Sequence, residues 1–468
     1  MASSHSNFSI NKVSMSKIVL TVLIFGNDTE PACYNIGLQE AITREPHNIL
    51  EPTNAVERSL TGPYLWLFQE LRRRSRDQKL PLYLVGGAIR DALLGYPITD
   101  LDFAVAGDAR DLASDLANEM GAEVVTHNRF HTATLVLNDV RVDLASARTE
   151  KYPHPGELPI VELGPMLEDL QRRDFTINAL ALPLWEDNPS VMDICNGLDD
   201  LATGTIKILH KDSFTDDPTR LFRAVRYEQR FGFTMDSSTE ELFNSAVQDH
   251  SIDLLSADRI RHEFERIFHE TNPYLVLQRL CDLGVLTSVM GCLKFGNPVA
   301  VEERTNILDS LQQKSTFGPL VSISCNLSDN DRASFIKKLN MPRDWSKVVN
   351  DVGLIESRSD NLTKSNITNS EIFILLENIG DDAILGYLEI TESDTLWGVL
   401  LRYISRIKDT QTMLNGSDLR DMGLDNGPDI GYILRVLLLK RLDGEIASEH
   451  DERSFVEFWM SQVSPHDE

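Results

Sequence analysis

Residues 82–106 read Leu82-Tyr-Leu-Val-Gly86-Gly87-Ala-Ile-Arg90-Asp91-Ala-Leu-Leu-Gly95-Tyr-Pro-Ile-Thr-Asp100-Leu-Asp102-Phe-Ala-Val-Ala106. Leu82, Leu84 and Val85 are apolar and run into two glycines, the pattern of a strand that stops at a tight turn. Paired glycines let the backbone approach a ligand closely and present bare N–H groups to an anion. Ala88–Leu94 has helical spacing, with Ile89, Ala92 and Leu93 apolar, and Gly95 is its stop. A second strand is expected over Asp100–Val105. Alternation along it puts Leu101, Phe103 and Val105 on one face and Asp100, Asp102 and Ala104 on the other.

Two carboxylates held side by side repel, and a shared divalent cation is the usual reason to place them so. Oxygen ligands suit Mg²⁺, which binds through one or two carboxylates together with substrate phosphates. An Asp-x-Asp alone reads equally well as a solvated strand end. Beside Gly-Gly-x-x-Arg it points to phosphoryl or nucleotidyl transfer.

Gly86-Gly87-x-x-Arg90-Asp91-x-Leu-Leu-Gly95 followed by Asp100-x-Asp102 resembles the head of the class II tRNA nucleotidyltransferase and bacterial poly(A) polymerase family. That family belongs to the DNA polymerase β-like nucleotidyltransferases. The resemblance implies an α+β fold, a head with a small mixed sheet followed by an all-α neck, body and tail. It spans most of residues 60–290 with specific motifs and 414–445 more loosely. The expected division is an N-terminal extension of no assigned role (1–57), a catalytic head (58–205), a neck with a nucleotide-selecting helix (206–290), a body (291–410) and a tRNA-binding tail (411–468).

The chain has 468 residues, enough for several domains, and a formal net charge of −27. Phosphate contacts normally come from Lys and Arg, so this balance disfavours promiscuous nucleic-acid binding. It leaves room for a specific site in which the basic residues are gathered on one face. Cys33, Cys195, Cys281, Cys292 and Cys325 show no paired metal spacing and read as reduced thiols of a cytoplasmic protein. The apolar run Ile18–Phe25 is too short to span a bilayer, and no small-x-small cleavage site follows it. It reads as a buried strand or an extension upstream of the natural start.

Residues 58–79 form an amphipathic helix pattern that ends in Arg72, Arg73, Arg74, Arg76 and Lys79. These could touch RNA or simply favour the helix C-terminus. Asp108–Met120 is a second helix closed by Gly121. Strands are expected at 123–126, 132–138 and 140–146. In the last, Val140, Val142 and Leu144 share one face, and Arg141, Asp143 and Ala145 the other. The resemblance implies a third carboxylate on such a strand. Asp143 is the candidate; otherwise it is a surface residue paired with Arg141. Residues 148–169, with Tyr-Pro-His-Pro-Gly at 152–156, read as a loop. The family carries a flexible loop here, which helps the switch from CTP to ATP and is missing from CC-only enzymes.

Arg172-Arg173-Asp174-Phe-Thr-Ile-Asn178-Ala179 matches the family's second motif, which implies Arg173 on the nucleotide and Asp174 on its ribose. Residues 193–206 are similar to the third motif, a glycine-punctuated connection. Asp216-Asp217-Pro218-Thr-Arg220-Leu-Phe-Arg223-Ala-Val-Arg226 begins a helix, with Asp217 as N-cap and Pro218 in its first position. Three arginines on one face want an anionic partner or a planar acceptor. The resemblance makes Asp217 and Arg220 the pair that selects the incoming base without a template, with Arg223 and Arg226 toward the nucleotide. Asp216 stands where the family usually has Glu. Residues 256–265 are similar to the fifth motif, a helix that buttresses the neck. Beyond residue 233 the pattern is helical, Leu275 to Leu286 forming a buried hairpin. Residues 414–431 resemble the segment that binds the tRNA elbow.

Together these imply a CCA-adding enzyme. Gly86, Gly87 and Arg90 would cradle phosphates. Asp100 and Asp102 would hold two Mg²⁺ ions, assisted by Asp143. CTP, ATP and the tRNA 3′ end are the partners, with no membrane and no DNA. The sequence leaves oligomeric state open. An enzyme adding only the terminal A, a poly(A) polymerase, and a silent RNA-binding protein on the same scaffold are the alternatives.

Overall fold

The computed structural model describes residues 52–137, 140–296, 298, 302–310, 315–425 and 427–463. Cys33 and the apolar run Ile18–Phe25 lie outside them. The expected α+β architecture is present: a seven-stranded mixed sheet in the N-terminal half, then helices. The strands are β1 (Leu82–Val85), β2 (Asp102–Val105), β3 (Glu123–His127), β4 (Thr132–Leu137), β5 (Val140–Ser146), β8 (Leu180–Pro183) and β9 (Met192–Asp193). A separate two-stranded ribbon consists of β6 (Arg148–Lys151) and β7 (Ile160–Leu163). The sheet order is β3-β4-β5-β2-β1-β8-β9, and within it β2 and β5 run parallel while the other neighbours run antiparallel.

The alternation along β2 decides how the sheet is packed. Leu101, Phe103 and Val105 join Val142, Leu144 and Leu182 under the helices Gly62–Gln78, Gly87–Leu93 and Ala109–Met120. Ala104 faces the other side, with Tyr83, Val85, Met166 and Leu170. Each fully buried Leu or Phe contributes about 1.5–3 kcal/mol, so a one-residue slip in register would cost many such contacts. Asp108 caps its helix by accepting the Arg110 N–H, and Gly121 ends it in the left-handed region at φ +67°.

Four local expectations change. The second strand begins at Asp102, not Asp100. Pro63 splits the first helix pattern, and a separate helix Pro52–Ser59 sends Ala55 and Val56 into the head core. Residues 148–169 are a β-hairpin leading into the helix Met166–Gln171, because the prolines fall in the connection and leave Arg148–Lys151 and Ile160–Leu163 free to pair. Beyond residue 233, Thr234–Met235 adds a short parallel pair with Thr205–Ile206.

The helical half packs around one large core that runs from Phe175 and Phe222 to Leu400. In the expected hairpin Leu277, Leu280 and Leu286 are buried, but Leu275 is exposed. Residues 414–456 close a small core of their own around Leu419, Ile433 and Leu437. There Glu452, fully buried, accepts the Met413 and Leu414 N–H groups at 3.0 and 2.8 Å. No helix among the described residues is long and apolar enough to cross a membrane.

Candidate active site

Gly86 sits at φ +69°, a conformation that a residue with a Cβ adopts only with strain. Its N–H donates to the Leu180 carbonyl at 3.0 Å, which ties the end of β1 to β8. A Cβ there would lie 2.8 Å from Arg173 Nη1, so the guanidinium rests against bare backbone. Arg90, one turn into the following helix, is buried. It donates to Asn178 Oδ1 and to Asp91 Oδ1, and its guanidinium lies over the rings of Tyr227 and Phe231, at 5.0 and 4.7 Å. Arg90 therefore braces the glycine turn against the second motif and the neck while lining the cleft.

Asp102 opens β2 and stands opposite Asp143 of β5 in the parallel register. Thr134 donates its hydroxyl to Asp143 Oδ1 at 2.5 Å, and Arg141 Nε is 3.7 Å from the same oxygen. Asp143 is thus both a neighbour of Asp102 and a partner of Arg141. Crowding by protein pushes the Asp102 carboxyl above the ordinary range, and Asp143 and Asp100 push it further against Arg173. Asp100 lies two residues upstream, exposed and outside the strand. Among the described residues no three His, Cys, Asp or Glu side chains converge as a ready metal cage. Unrelieved repulsion between hard oxygen donors still fits a divalent cation that completes its shell with phosphate and water.

Behind this pair lies a carboxylate absent from the motif reading. Asp169, on the helix Met166–Gln171, is buried and accepts from Arg172 Nη2 at 2.6 Å and Arg173 Nη2 at 3.0 Å. Burial pushes its carboxyl up, but the two guanidiniums outweigh this and hold it below the usual range. Arg172 also donates to Glu150, which accepts the Tyr152 hydroxyl. The hairpin is thereby fastened to Arg172. The spacing of the two arginines from Asp169, three and four residues, was the available signal.

The helix Thr219–Phe231 supplies the far wall. The helix starts one residue later than expected, with Pro218 and not Asp217 at its N-cap; Asp217, just before the cap, still accepts the Thr219 N–H at 3.0 Å. Its Oδ1 also accepts from Arg259 Nη2 at 2.6 Å, while Arg259 Nη1 donates to the Gly156 carbonyl at 2.6 Å. Arg220 is buried and donates to the Arg172 carbonyl at 2.9 Å and the Ser213 carbonyl at 3.4 Å. Backbone carbonyls thus place Arg220, and the shorter Asp216 does not line the cleft. Asp174 is buried, bonded to Asn178 and to Arg223 Nε (2.8 Å). Burial alone would raise its carboxyl; Arg223 dominates and holds it far below the carboxylate range.

Arg226 departs from its expected role. It is buried against Glu270 and Tyr227 and is not among the cleft-lining residues. Steps of three residues drift about 60° each around a helix, so Arg226 has turned about 120° from Arg220.

The other eleven candidates meet in two adjoining cavities. A cleft of about 600 Å³ is lined by Gly86, Gly87, Arg90, Asp100, Asp102, Arg173, Asp174, Asp217, Arg220 and Arg223, and additionally by Tyr152, Arg259 and Arg266. Asp143 lines its neighbour, which shares Asp102. Seven of the nineteen cleft residues are arginines, an electropositive concentration in a chain of net charge −27.

A family model described as "Poly A polymerase head domain" matches residues 82–207, and one described as "Probable RNA and SrmB- binding site of polymerase A" matches 232–293. The A-adding tRNA nucleotidyltransferase of Geobacter sulfurreducens is 31% identical over 91% of this chain and 50% of its own length. The chain therefore spans about half of that relative. The A-adding tRNA nucleotidyltransferase of Halalkalibacterium halodurans is 30% identical over 87% of this chain and 95% of its own. The solved Thermotoga maritima CCA-adding enzyme complexed with tRNA has a TM-score of 0.70 at 26% identity, covering 88% of this chain and 98% of that one.

Proposed function

The chain belongs to the tRNA nucleotidyltransferase and poly(A) polymerase family, and on that premise we propose that it extends the 3′ end of tRNA by template-independent nucleotidyl transfer, adding CCA from CTP and ATP. The observation that carries this is the single cleft joining the glycine turn, the Asp100–Asp102 pair and the arginine wall. In the reaction the RNA 3′-oxygen attacks the α-phosphorus. A new phosphodiester bond forms as the bond to the bridging oxygen breaks, and pyrophosphate leaves.

Positioning and charge do most of this work. Gly87 offers its N–H group to the triphosphate, while Gly86, whose own N–H is engaged by the Leu180 carbonyl, gives the bare backbone that lets it come close. Arg173, whose Nε is buried with no partner, faces it across Gly86. Asp217 and Arg220, held by Arg259 and by two backbone carbonyls, present fixed acceptors and donors to the base. Asp174 and Arg223 lie between, within reach of the ribose. Asp100 and Asp102 would hold two divalent cations, Mg²⁺ by donor chemistry, which when bound neutralise the triphosphate and lower the pKa of the attacking hydroxyl. The tail around Leu419 and Ile433 would grip the body of the tRNA.

A second reading is addition of the terminal A alone, favoured because both relatives named above carry that description. The hairpin of residues 148–163 suits either. tRNA transcripts ending at the discriminator base, at C and at CC, given Mg²⁺ and CTP, ATP or both, separate the readings. Extension of all three to CCA supports the first, and extension of the CC-ended RNA alone supports the second. Long A tails would make it a poly(A) polymerase. No extension with RNA still bound would leave a silent binder.

A further inference from the structure

Asp174 stands in the cleft with its acceptor positions filled. Its Oδ1 accepts the Phe175 N–H at 2.8 Å and Asn178 Nδ2 at 3.0 Å, and its Oδ2 accepts Nε (2.8 Å) and Nη2 of Arg223. An ionised carboxylate has about four lone-pair sites, so it can accept a ribose hydroxyl only if one of these donors withdraws. The Phe175 N–H is fixed by the backbone, and Asn178 is held in turn as the acceptor of Arg90. Arg223 is the donor that can move. It comes from the opposite wall, on a long side chain that is 29% exposed.

A guanidinium that gives up a carboxylate bond in a half-buried site needs another acceptor, because a charged donor left unpaired there is costly. The Tyr227 hydroxyl already accepts Arg223 Nη2 at 3.2 Å. A further acceptor lies on the neighbouring helix, Ala257–Phe268. That helix meets Thr219–Phe231 through the rings of Phe222 and Phe264, whose centroids are 5.7 Å apart. Arg223 directly follows the first of these residues, and Glu263 directly precedes the second.

Glu263 is buried. Its Oε1 accepts from Arg266, which lines the cleft, while its Oε2 is buried with no hydrogen-bond partner. It is the one carboxylate oxygen in that condition among the described residues. Leaving it so costs stability, which a donor arriving from Arg223 would relieve. Its charge already reaches Arg223. Burial would lower the pKa of that guanidinium, and Asp174, then Tyr227 and Glu263, hold it well above the ordinary value.

We propose that Glu263 is a positioning residue for the incoming nucleotide: when a ribose hydroxyl takes a place on Asp174 Oδ2, the released N–H of Arg223 turns to Glu263 Oε2. The exchange keeps the number of charged hydrogen bonds constant, so the ribose is gripped without stranding a cation. It rests on the nucleotidyl-transfer reading and on the placing of the ribose at Asp174, and adds to them the group that makes that placing possible.

The test uses the full-length protein, a CC-ended tRNA transcript and Mg²⁺, with either ATP or 2′,3′-dideoxyATP. The two nucleotides share base and triphosphate and differ only in the ribose hydroxyls. Wild type must first extend this RNA with ATP; failure there overturns the nucleotidyl-transfer reading itself. Its KM for ATP should be lower than that for the analogue by about tenfold or more, the size of one hydrogen bond to a charged group. Equal values overturn the placing of the ribose, and the exchange with it. Glu263→Gln keeps the shape and removes the charge. It should raise the KM for ATP about fivefold or more, and leave the KM for the analogue, which calls for no exchange, and kcat for both within about twofold. Glu263→Asp keeps the charge and should recover the greater part of the preference for ATP. A role in packing alone would move both nucleotides alike. A common rise for ATP and the analogue in both variants therefore overturns the assignment, as does a wild-type preference for ATP in Glu263→Gln.

Discussion

Asp102 and Asp143 are direct register partners on the parallel strands β2 and β5, so two carboxylates stand side by side on one face of the sheet. Asp102 is exposed at the start of its strand, yet the protein crowded around its carboxyl, and then Asp143, raise its pKa. The fold therefore favours its protonated form, and the wild type loses stability as pH rises through the carboxylate range. Asp102→Asn should raise Tm at neutral pH, with the gain vanishing in acid. It should also cut turnover about a thousandfold, equivalent to several kcal/mol of lost charge stabilisation. Thermal melts from pH 3 to 8 and a single-turnover extension assay check both.

Asp169 has the opposite sign. Its carboxyl is held below the usual range, so its stabilisation is complete above about pH 4, the unfolded value, and is lost as pH falls through the lower folded pKa. Asp169→Asn leaves Arg172 and Arg173 without their buried carboxylate. It should cost about 3 kcal/mol or more at pH 7. Denaturant unfolding should show the wild-type advantage shrinking below about pH 4, and nucleotide affinity should fall with the misplaced arginines.

Arg259 joins Asp217 to the Gly156 carbonyl with two 2.6 Å bonds. Freed of it, Asp217 could swing away from the position proposed for the base. Arg259→Met should lower the preference for the correct nucleotide by about tenfold or more, since discrimination depends on leaving a wrong base's polar groups unpaired. Competition between CTP and ATP on a CC-ended primer measures it, while Tm should move little.

Gly86→Ala tests the close approach at the turn. The added Cβ would lie 2.8 Å from Arg173 Nη1, and φ +69° strains any side chain. A penalty of about 1 kcal/mol or more in stability is expected. The KM for ATP should rise further than that strain alone explains, because the guanidinium must shift.

Much of the site was legible along the chain. The strand–glycine–helix turn, the facing of Asp102 and the inward Val140, Val142 and Leu144 all follow from short-range patterns. The hairpin at 148–163 was not legible, because three prolines and a glycine disguise two short strands whose pairing is set only once the connection folds back. Arg226 was misplaced because a three-residue spacing looks like one face when read locally and drifts when followed along the axis.

The sequence by itself determined the chemistry on offer: a glycine turn, paired carboxylates and arginines at fixed intervals. These rest on alternation, turn preference and capping, which act within a few residues. Only the tertiary structure decided which charges are engaged and with whom. Asp169 and Arg173 are four residues apart, but Arg223 with Asp174, Arg259 with Asp217, and Asp143 with Asp102 are pairs distant in sequence. A guanidinium commits to one carboxylate only when burial makes leaving it unpaired costly, and burial is a property of the packed fold.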